Sequence, residues 1–341
     1  MSPDIIGGLA RSVARLVFGG EPDRCVPRGD YLVEAGRGER AVLVALPSGS
    51  DDLARTLWRA LTRDCGPQIG DVVMVEPSFP PRSVRGSPAR SSQDLWSADA
   101  LAHLGIKLWR YGKSGGELEL RNRELNVTCS SSILIRHRFP TVALDDDLVI
   151  CSFEDGFSLE YRGLAVAIDR TGSSQFEVGV SERDREARNL AFGESYDRVS
   201  ELVRTLSEVR TRRVGGSSHP IAQVAPERWL RHEISKTDAY GPKADEWVEI
   251  GGIDDNRRRA YALANGTLLA MTVGPDPTLI FELGSVYAAL RRSSRDLSGH
   301  VSIYTPEQDR IEGYERLFGR STLDISVVSV SKDWQRRGEE A

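Results

Sequence analysis

Motifs of two common phosphate-binding folds are missing from this sequence of 341 residues. It contains neither G-x-x-x-x-G-K-[ST] nor G-x-G-x-x-G, the glycine-rich loops that hold nucleotide phosphates. A P-loop NTPase or an ordinary dinucleotide dehydrogenase is therefore not expected. Cysteine is also scarce: the four residues lie far apart, with no C-x-x-C pair and no histidine at ligand spacing. Neither a zinc site nor a disulfide framework is predicted, and reduced thiols in a cytoplasm fit this pattern.

The sequence has little lysine and no excess of positive charge. Only five of the 45 basic residues are lysines, 50 residues are acidic, and the net charge is −5. No overall field therefore attracts nucleic acid or an acidic membrane. The preference for arginine is typical of a GC-rich genome.

Long apolar runs are absent as well. No segment approaches the roughly 20 apolar residues that span a bilayer. The segment Asp4–Phe18 is apolar but interrupted by Arg11 and Arg15, and it lacks the features of a signal peptide. Its apolar residues fall on one helical face, which predicts core packing; a membrane-surface or partner helix is the alternative.

The stretch Tyr261–Pro306 is the most informative part of what is present. Asn265-Gly266 between two apolar runs predicts a hairpin. Asp276 then precedes apolar residues at helical spacing, and His300–Thr305 is a second strand. The sequence therefore predicts a hairpin, a loop, a helix and a strand, with the strands on either side of the helix parallel.

A similar order of elements occurs near the N-terminus. Tyr31–Leu46 predicts a hairpin, Pro47–Asp52 a loop, Leu53–Leu61 a helix and Asp71–Glu76 a strand. Matched order and spacing favour an internal duplication of two Rossmann-like βαβ units. The alternative is that any two βαβ units look alike at this level of detail.

Between the two units, the pattern changes to period two and then to helices. Short strands are predicted from Ile106 to Val180, as an antiparallel β-region, and helices from Ser181 to about Thr211 and over Pro226–Ser235. The predicted fold is thus an α/β fold in five segments. These are an N-terminal α/β unit (1–112), the β-region (113–181), a helical connector (182–240), a C-terminal α/β unit (241–331) and a charged tail (332–341).

Ligands of open α/β sheets bind beyond the carboxyl ends of the strands, next to helix N-termini. Here those loops are Ser48–Asp52, Gly274–Pro277 and Thr305–Asp309, and all three carry acids. Carboxylates at a helix N-terminus cap the helix and repel a phosphate. The sequence therefore predicts capping acids and does not predict a phosphate site.

The candidate site residues come from these loops. As catalytic candidates we consider Asp51, Asp52 and Asp276, which could hold Mg²⁺ in a hydrolase or act as helix caps. As ligand-binding candidates we consider Ser48, Gly49, Gly274, Asp276 and Glu307. The run Asp145–Asp147 has carboxylates suited to a divalent ion, but neighbours on extended backbone point to alternate faces, which favours a turn. No cofactor and no metal site is predicted.

The densest polar group of the sequence is His219-Pro220 followed by Glu227-Arg228-Trp229-Leu230-Arg231 and His232. With Asp184–Ala187 and the Gly274-x-Asp276 loop, these residues resemble a group of uncharacterised bacterial proteins from GC-rich genomes, over residues 178–330. That group has no assigned activity, so the resemblance implies no catalytic residues. The chain is more loosely similar to ligand-sensing Rossmann-like domains of the CRISPR-associated type, in which a small-residue loop also follows the first strand.

The leading functional prediction is a bacterial cytoplasmic protein without chemistry of its own, which binds another protein or a ligand. Two alternatives stay open: a metal-dependent hydrolase or nuclease that uses the loop aspartates, and a sensor of a nucleotide second messenger.

Overall fold

The described part of the chain is a mixed α/β structure with three β-sheets. The computed structural model describes residues 3–29, 32–45, 50–62, 68–75, 98–111, 118–120, 125–131, 147–172, 176–192, 197–211, 225–237, 240–241, 244–252, 259–274, 276, 278–310, 314–331 and 334. Within those ranges it has eight α-helices and sixteen strands. No helix there combines the length and apolar character that a membrane-spanning segment requires.

Sheet A contains the first six strands in sequence order. They are β1 (Arg24–Gly29), β2 (Leu32–Arg37), β3 (Arg40–Ala45), β4 (Gln68–Val75), β5 (Lys107–Tyr111) and β6 (Leu118–Leu120). The neighbouring pairs β1–β2 and β2–β3 are antiparallel, β3–β4 and β4–β5 are parallel, and β5–β6 is antiparallel. The predicted parallel strands of this region are therefore present.

Three helices accompany sheet A along the chain: α1 (Pro3–Phe18), α2 (Ser50–Leu61) and α3 (Ala98–Ala102). The side of α1 that carries Ala10, Val13 and Ala14 packs against Val33, Ala35, Val42 and Val44 of the sheet. Core packing of α1, the first of the two uses that its periodicity allows, is thus confirmed for this face.

Sheet C is a four-stranded antiparallel meander of β8 (Leu148–Phe153), β9 (Gly156–Tyr161), β10 (Leu164–Arg170) and β11 (Phe176–Val178). Two helices follow it, α4 (Glu182–Phe192) and α5 (Asp197–Thr211). Ser181 caps α4, because its hydroxyl accepts the Asp184 N–H at 3.2 Å while Asp184 Oδ2 accepts the Val180 N–H at 3.0 Å. Leu202 and Leu206 of α5 pack on the apolar face of the sheet.

Sheet B has the strand order β16-β15-β14-β13-β12-β7. Its strands are β7 (Val127–Ser131), β12 (Glu246–Ile250), β13 (Ala260–Ala264), β14 (Thr267–Met271), β15 (His300–Pro306) and β16 (Asp324–Val330). Neighbours from β7 to β14 are antiparallel, and β14 is parallel to β15. The β13–β14 turn is Asn265-Gly266, and its φ values of 50° and 75° are those of a type I′ turn.

The remaining helices belong to the second half of the chain. They are α6 (Pro226–Lys236), which precedes β12, α7 (Leu279–Arg292), between β14 and β15, and α8 (Tyr314–Phe318), between β15 and β16. A 3₁₀ turn, Glu307–Asp309, lies between β15 and α8, and residues 311–313 are outside the described ranges.

The predicted antiparallel region between the two α/β units is divided among all three sheets. Strands β5 and β6 complete sheet A, β7 joins sheet B, and β8 to β11 form sheet C. An alternating pattern predicts that a segment is a strand. It does not predict which sheet the strand joins, because strand pairing depends on distant segments. The predicted strand at 133–136 lies outside the described residues.

The chain divides into two compact units. Unit 1 consists of Met1–Glu124, Asp276–Ala289 and Ile311–Asp324, and unit 2 of Leu125–Pro275, Leu290–Arg310 and Ile325–Ala341. Within unit 1, the imidazole of His103 connects α3 to two other segments. Its Nδ1 lies 2.9 Å from Ser321 Oγ and its Nε2 lies 2.9 Å from the Ile280 carbonyl oxygen. Burial lowers the pKa of His103 to about 4, so this contact is made by a neutral ring.

Candidate functional site

The densest polar group of the sequence becomes helix α6, which lies within unit 2 and is buried on two sides. Pro226 occupies the first turn, where a missing N–H leaves no hydrogen bond unmade. Trp229, Leu230 and Ile234 pack against β13, β14 and Trp334. The opposite side carries Arg228, Arg231 and His232, and it faces strands of sheet C. Because both sides are covered, charged residues of α6 must find partners inside the protein.

Two arginines of α6 meet two glutamates from different sheets. Arg228 Nη2 lies 2.7 Å from Glu160 Oε1 on β9 and 2.7 Å from Glu249 Oε2 on β12. Arg231 Nη2 lies 2.7 Å from Glu249 Oε1 and 3.8 Å from Glu160 Oε2. We call these four residues the charge cluster. Its formal charges balance, and α6 thereby joins sheet C to sheet B.

Burial decides how strongly these charges interact. The side chains of Arg231, Glu160 and Glu249 are 0%, 2% and 4% exposed, and that of Arg228 is 13% exposed. Away from water, ionic contacts are strong, but each charge is also expensive to desolvate, so removing one member leaves an uncompensated charge. The cluster therefore fixes how the two sheets meet more than it adds net stability.

An aromatic ring, a backbone oxygen and a thiol sulfur make further contacts with the Arg231 guanidinium. Its guanidinium carbon lies 4.1 Å from the centroid of the Trp247 ring, a cation–π contact. Its Nη1 donates to the Tyr261 carbonyl oxygen at 3.1 Å, and its Nη2 donates to Cys151 Sγ at 3.5 Å. These contacts leave the guanidinium committed to the protein interior.

The pKa values of the cluster oppose reactivity. Burial alone would lower the pKa of Arg228, but Glu160 and Glu249 outweigh it and raise the pKa, so the charge is held. Burial, and then the same two glutamates, raise the pKa of the Cys151 thiol well above its usual range. A nucleophilic cysteine needs a lowered pKa and some exposure. Cys151 is therefore a buried hydrogen-bond acceptor and does not have the properties of a nucleophile.

A second ionic group lies beside the cluster at Asp147, the one residue of the Asp145–Asp147 run that the structure describes. Its Oδ2 accepts the Arg162 Nε–H at 2.7 Å, and its Oδ1 contacts Lys236 and lies 3.5 Å from His232 Nε2. Burial lowers the pKa of His232 to about 4, which keeps the ring neutral. Asp147 thus lies in a turn, as the sequence favoured, and it pairs with cationic side chains of the protein.

Asp276, a catalytic and ligand-binding candidate, interacts with the residues that open α7. Its Oδ1 accepts the Thr278 N–H at 2.9 Å and the Thr278 hydroxyl at 2.7 Å. Its carbonyl oxygen accepts the Leu279 N–H at 3.4 Å. This geometry is that of an Asx-type turn just before α7, in which the carboxylate binds the residue that precedes the helix. The carbonyl oxygen of Thr278 accepts the N–H of Phe281 at 3.1 Å and that of Glu282 at 3.3 Å.

The loop that follows β14 also has an internal carboxylate. Asp309 Oδ2 accepts the Gly274 N–H at 2.9 Å, and Gly274 has a φ of 84°, which suits glycine. The backbone donor that an anionic ligand would use at Gly274 is thus occupied by a side chain of the same chain. Glu307, the other acid of this segment, is exposed.

The remaining candidates are only partly within the described structure. Asp51 and Asp52 fall in the first turn of α2, and their side chains are outside the described residues. Ser48 and Gly49 lie outside the described ranges altogether. Among the described residues, no group of three or more His, Cys, Asp or Glu side chains is arranged to hold a metal ion.

The sequence analysis noted the helical residues of the charge cluster as a dense polar group without proposing a site there, and it missed the two strand glutamates. Glu160 and Glu249 sit in alternating strand patterns, where a charged residue is ordinarily expected to face solvent. A usable signal was available in Glu246–Ile250: Glu249 shares a strand face with Trp247, and an apolar neighbour of that size indicates a covered face.

Comparison with protein-family models, with curated proteins and with solved structures finds no match to this chain.

Proposed function

We propose that the chain is a protein- or ligand-binding component of a bacterial cytoplasmic system, without chemistry of its own, built from two copies of one α/β module. The observation that carries the binding role is the internal balance of the charge cluster. Glu160 and Glu249 neutralise the buried guanidinium groups of Arg228 and Arg231. The neighbouring Cys151 thiol stays protonated, and the neighbouring His232 imidazole stays neutral. The cluster organises a scaffold and leaves no charged group of its own for a substrate.

The duplication is supported by the order and direction of the elements. In the first half they run α1, β1, β2, β3, α2, β4, α3, β5, and in the second half α6, β12, β13, β14, α7, β15, α8, β16. In each half the first three strands are antiparallel and the third is parallel to the fourth. The leading helix of each half, α1 or α6, packs on the second and third strands. Eight elements in one order argue for a common module more strongly than a single βαβ unit does.

The interactions of the loop acids bear on the two alternative functions. A metal-dependent hydrolase needs carboxylates that are available to a cation, but Asp276 Oδ1 accepts two hydrogen bonds from Thr278. A nucleotide sensor needs backbone donors for phosphate, but Asp309 occupies the Gly274 N–H. Both observations favour the binding component over these alternatives.

Isolation from the native host tests the proposal. The tagged chain, expressed at its natural level, is expected to co-purify with a specific protein in stoichiometric amount. A thermal-shift screen against mono-, di- and cyclic nucleotides then tests the alternative function as a nucleotide sensor. At 100 times its dissociation constant a ligand adds about 2.7 kcal/mol to the unfolding free energy, enough for a measurable rise in Tm.

The contrary outcome is equally specific. If the tagged chain purifies without a partner and hydrolyses bis(p-nitrophenyl) phosphate with Mg²⁺ or Mn²⁺, the binding role is wrong and the metal-dependent hydrolase takes its place. Asp276→Asn should abolish that activity if the aspartate is catalytic. Asp296→Asn is the matched control, because Asp296 is an exposed acid between α7 and β15 that is not among the candidate site residues.

A further inference from the structure

Most edges of the three sheets carry a recognisable protection. A strand at a sheet edge leaves backbone N–H and C=O groups unpaired, and proteins protect such edges with proline, charged residues, bulges, short strands or a covering segment. In sheet A, the edge strand β1 contains Pro27, Arg24 and Arg28 and has a register shift after Pro27. The opposite edge strand, β6, has three residues, as does β11 at one edge of sheet C.

Two further edges lie against each other within unit 2. They are β8 of sheet C and β7 of sheet B. The Ser152 N–H on β8 donates to Ser130 Oγ on β7 at 2.6 Å. Each of these two strands is thus covered by a strand of the neighbouring sheet.

The outer edge of β16 differs from all of these. It is the terminal strand of sheet B, with β15 as its neighbour in the sheet. It has seven residues, and the stretch from Ile325 to Val330 contains no charged residue, no proline and no glycine. Val327 and Val328 are half-buried. Among the strands that the structure describes, β16 is therefore a long edge of β-branched residues without protection by sequence.

The strand at the same place in sheet A shows what such an edge accepts. The order β2-β3-β4-β5 in sheet A corresponds to β13-β14-β15-β16 in sheet B. The outer edge of β5 pairs with β6, which is antiparallel to it, from Trp109 opposite Leu120 to Tyr111 opposite Leu118. A strand at this place can thus bind an antiparallel strand through its backbone.

The chain that follows β16 turns away from this edge. The Trp334 N–H donates to the Ser331 carbonyl oxygen at 3.0 Å, which closes a turn. Trp334 is 4% exposed, and its ring lies 5.6 Å from that of Trp229 on α6. The seven residues after Trp334 include four charged residues and one glycine, a composition that disfavours a strand. A strand that covers β16 is therefore expected from another molecule.

We propose that β16 pairs antiparallel with β16 of a second copy of this chain, so that the two copies form a dimer with one continuous sheet. Antiparallel pairing of identical strands has two-fold symmetry and closes the assembly at two copies. With Val327 on the axis, Ser326 lies opposite Val328 of the other copy and Asp324 lies opposite Val330.

The charge pattern of β16 suits pairing with itself. Like charges directly opposite each other destabilise a strand pair, whereas β-branched pairs stabilise it. In the two-fold pairing the uncharged residues 325–330 meet one another, and the two Asp324 side chains are six residues apart along the strands, about 20 Å. An edge without charge also has little with which to select a different partner by its charge. This inference goes beyond the proposed function and does not depend on which other protein the chain binds.

Light scattering of the purified full chain tests the dimer. Between about 1 and 100 μM, the mass should rise towards twice the 37.6 kDa of one chain. Val327→Lys places two ammonium groups opposite each other at the axis and should raise the dissociation constant of the dimer at least about tenfold. Val327→Thr keeps a β-branched side chain without charge and should remain dimeric. Ala187→Lys, which adds the same charge at an exposed position of α4, should also remain dimeric.

A second variant covers the case in which Val327→Lys does not fold. Ser326 is exposed, so Ser326→Lys is expected to leave far-UV circular dichroism and Tm close to those of the natural sequence. In the proposed register the two new lysines lie diagonally across the axis, within reach of each other. This variant should also weaken the dimer.

Hydrogen exchange locates the interface on the chain. Dilution from dimer to monomer should speed exchange in a peptide that covers 323–331, for about half of its amides, because alternate N–H groups of an edge strand point outwards. A peptide that covers β14 is the control. Since β14 lies between β13 and β15, its exchange should not change on dilution.

Four results would overturn the proposed pairing. They are a monomer at the highest concentration, a dimer that persists in folded Val327→Lys or Ser326→Lys, exchange in β16 that is insensitive to dilution, and a monomer whose β16 amides become protected when a different host protein binds. None of the first three affects the proposed function, which is tested by co-purification of a different protein. The fourth would assign the β16 edge to that protein.

Discussion

Arg231 Nη2 lies 2.7 Å from Glu249 Oε1, and neither side chain is more than 4% exposed. This pair connects α6 to β12 from within the same cluster that reaches β9 through Glu160. Removing the carboxylate alone would leave two buried guanidinium groups with one remaining anion. The stability of unit 2 therefore depends on charge balance inside it.

Glu249→Ala should destabilise the protein by about 3–5 kcal/mol, the usual cost of breaking a buried ion pair from one side. Urea unfolding, followed by tryptophan fluorescence, measures the change because Trp247 contacts Arg231. The double variant Arg231→Met with Glu249→Met should lose less than Glu249→Ala alone, since no isolated charge of that pair remains. A loss in the double variant equal to the sum of the losses in the single variants Arg231→Met and Glu249→Met would show that the two residues act independently.

Acid should destabilise the protein through His232. Its pKa is about 4 in the folded chain against 6.5 for an ordinary histidine, so the unfolded chain binds the proton more readily. The stabilisation is complete above about pH 6.5 and is lost as the pH falls towards 4. Between pH 7 and pH 5 the predicted loss from this residue is about 2 kcal/mol.

His232→Gln should reduce the pH dependence of the unfolding free energy between pH 7 and pH 5 by that amount. His300→Gln, at an exposed residue, is the control and should leave the slope close to that of the natural sequence. A wild-type slope retained in His232→Gln would mean that other groups, including the buried His103, account for the acid sensitivity.

Gly163, between β9 and β10 of sheet C, lies against the backbone of α6. It has a φ of 77°, and an added Cβ would lie 2.4 Å from the Trp229 nitrogen and 2.5 Å from the Arg228 carbonyl carbon. Gly163→Ala should therefore cost clearly more than the roughly 1–2 kcal/mol expected for a left-handed non-glycine residue. Gly172→Ala is the matched control: its φ is 84°, but the added Cβ meets nothing within 4 Å. Thermal unfolding measures the loss of stability in each variant. Equal losses in Gly163→Ala and Gly172→Ala would mean that the contact with α6 does not explain the cost.

Local signals predicted the elements of this fold well and their partners poorly. Asn265-Gly266 specifies a type I′ turn and Pro226 a helix start, because both effects act within a few residues. Whether Glu249 faces water depends on sheet C, whose strands lie between residues 148 and 178. The local pattern offers just the strand face that Glu249 shares with Trp247 as a sign of burial, and it does not identify the covering strands. The role of the loop acids could not be predicted locally either. The same local sequence allows an aspartate before a helix to bind backbone donors or to bind a cation. The hydrogen bonds from Thr278 to Asp276 are seen only in the structure.

The Cys151 thiol should resist alkylation in the folded protein. It is fully buried, and burial followed by the neighbouring glutamates raises its pKa, so thiolate is scarce. Iodoacetamide at pH 8, read by peptide mass spectrometry, should modify the half-buried Cys25 before Cys151. In urea above the unfolding midpoint, both should react at similar rates. Rapid labelling of Cys151 without denaturant would indicate that the interface of α6 with sheet C opens in the native state.

Ala225 offers a test in which one substitution should have opposite effects at two sites. It precedes α6 with φ 47° and ψ 55° and makes no side-chain cap hydrogen bond. A Cβ in this left-handed conformation costs about 1–2 kcal/mol, which Ala225→Gly removes. The gain is partly offset by the greater freedom of glycine in the unfolded chain, so a net stabilisation of about 0.5–1 kcal/mol is expected. Ala187→Gly, at an exposed position inside α4, should instead destabilise by about 1 kcal/mol, since glycine is a poor helix former. Differential scanning calorimetry should show a higher Tm for the first variant and a lower Tm for the second. A lower Tm for both would mean that the conformation of Ala225 is not strained and that the preceding segment, not the residue itself, sets the start of α6.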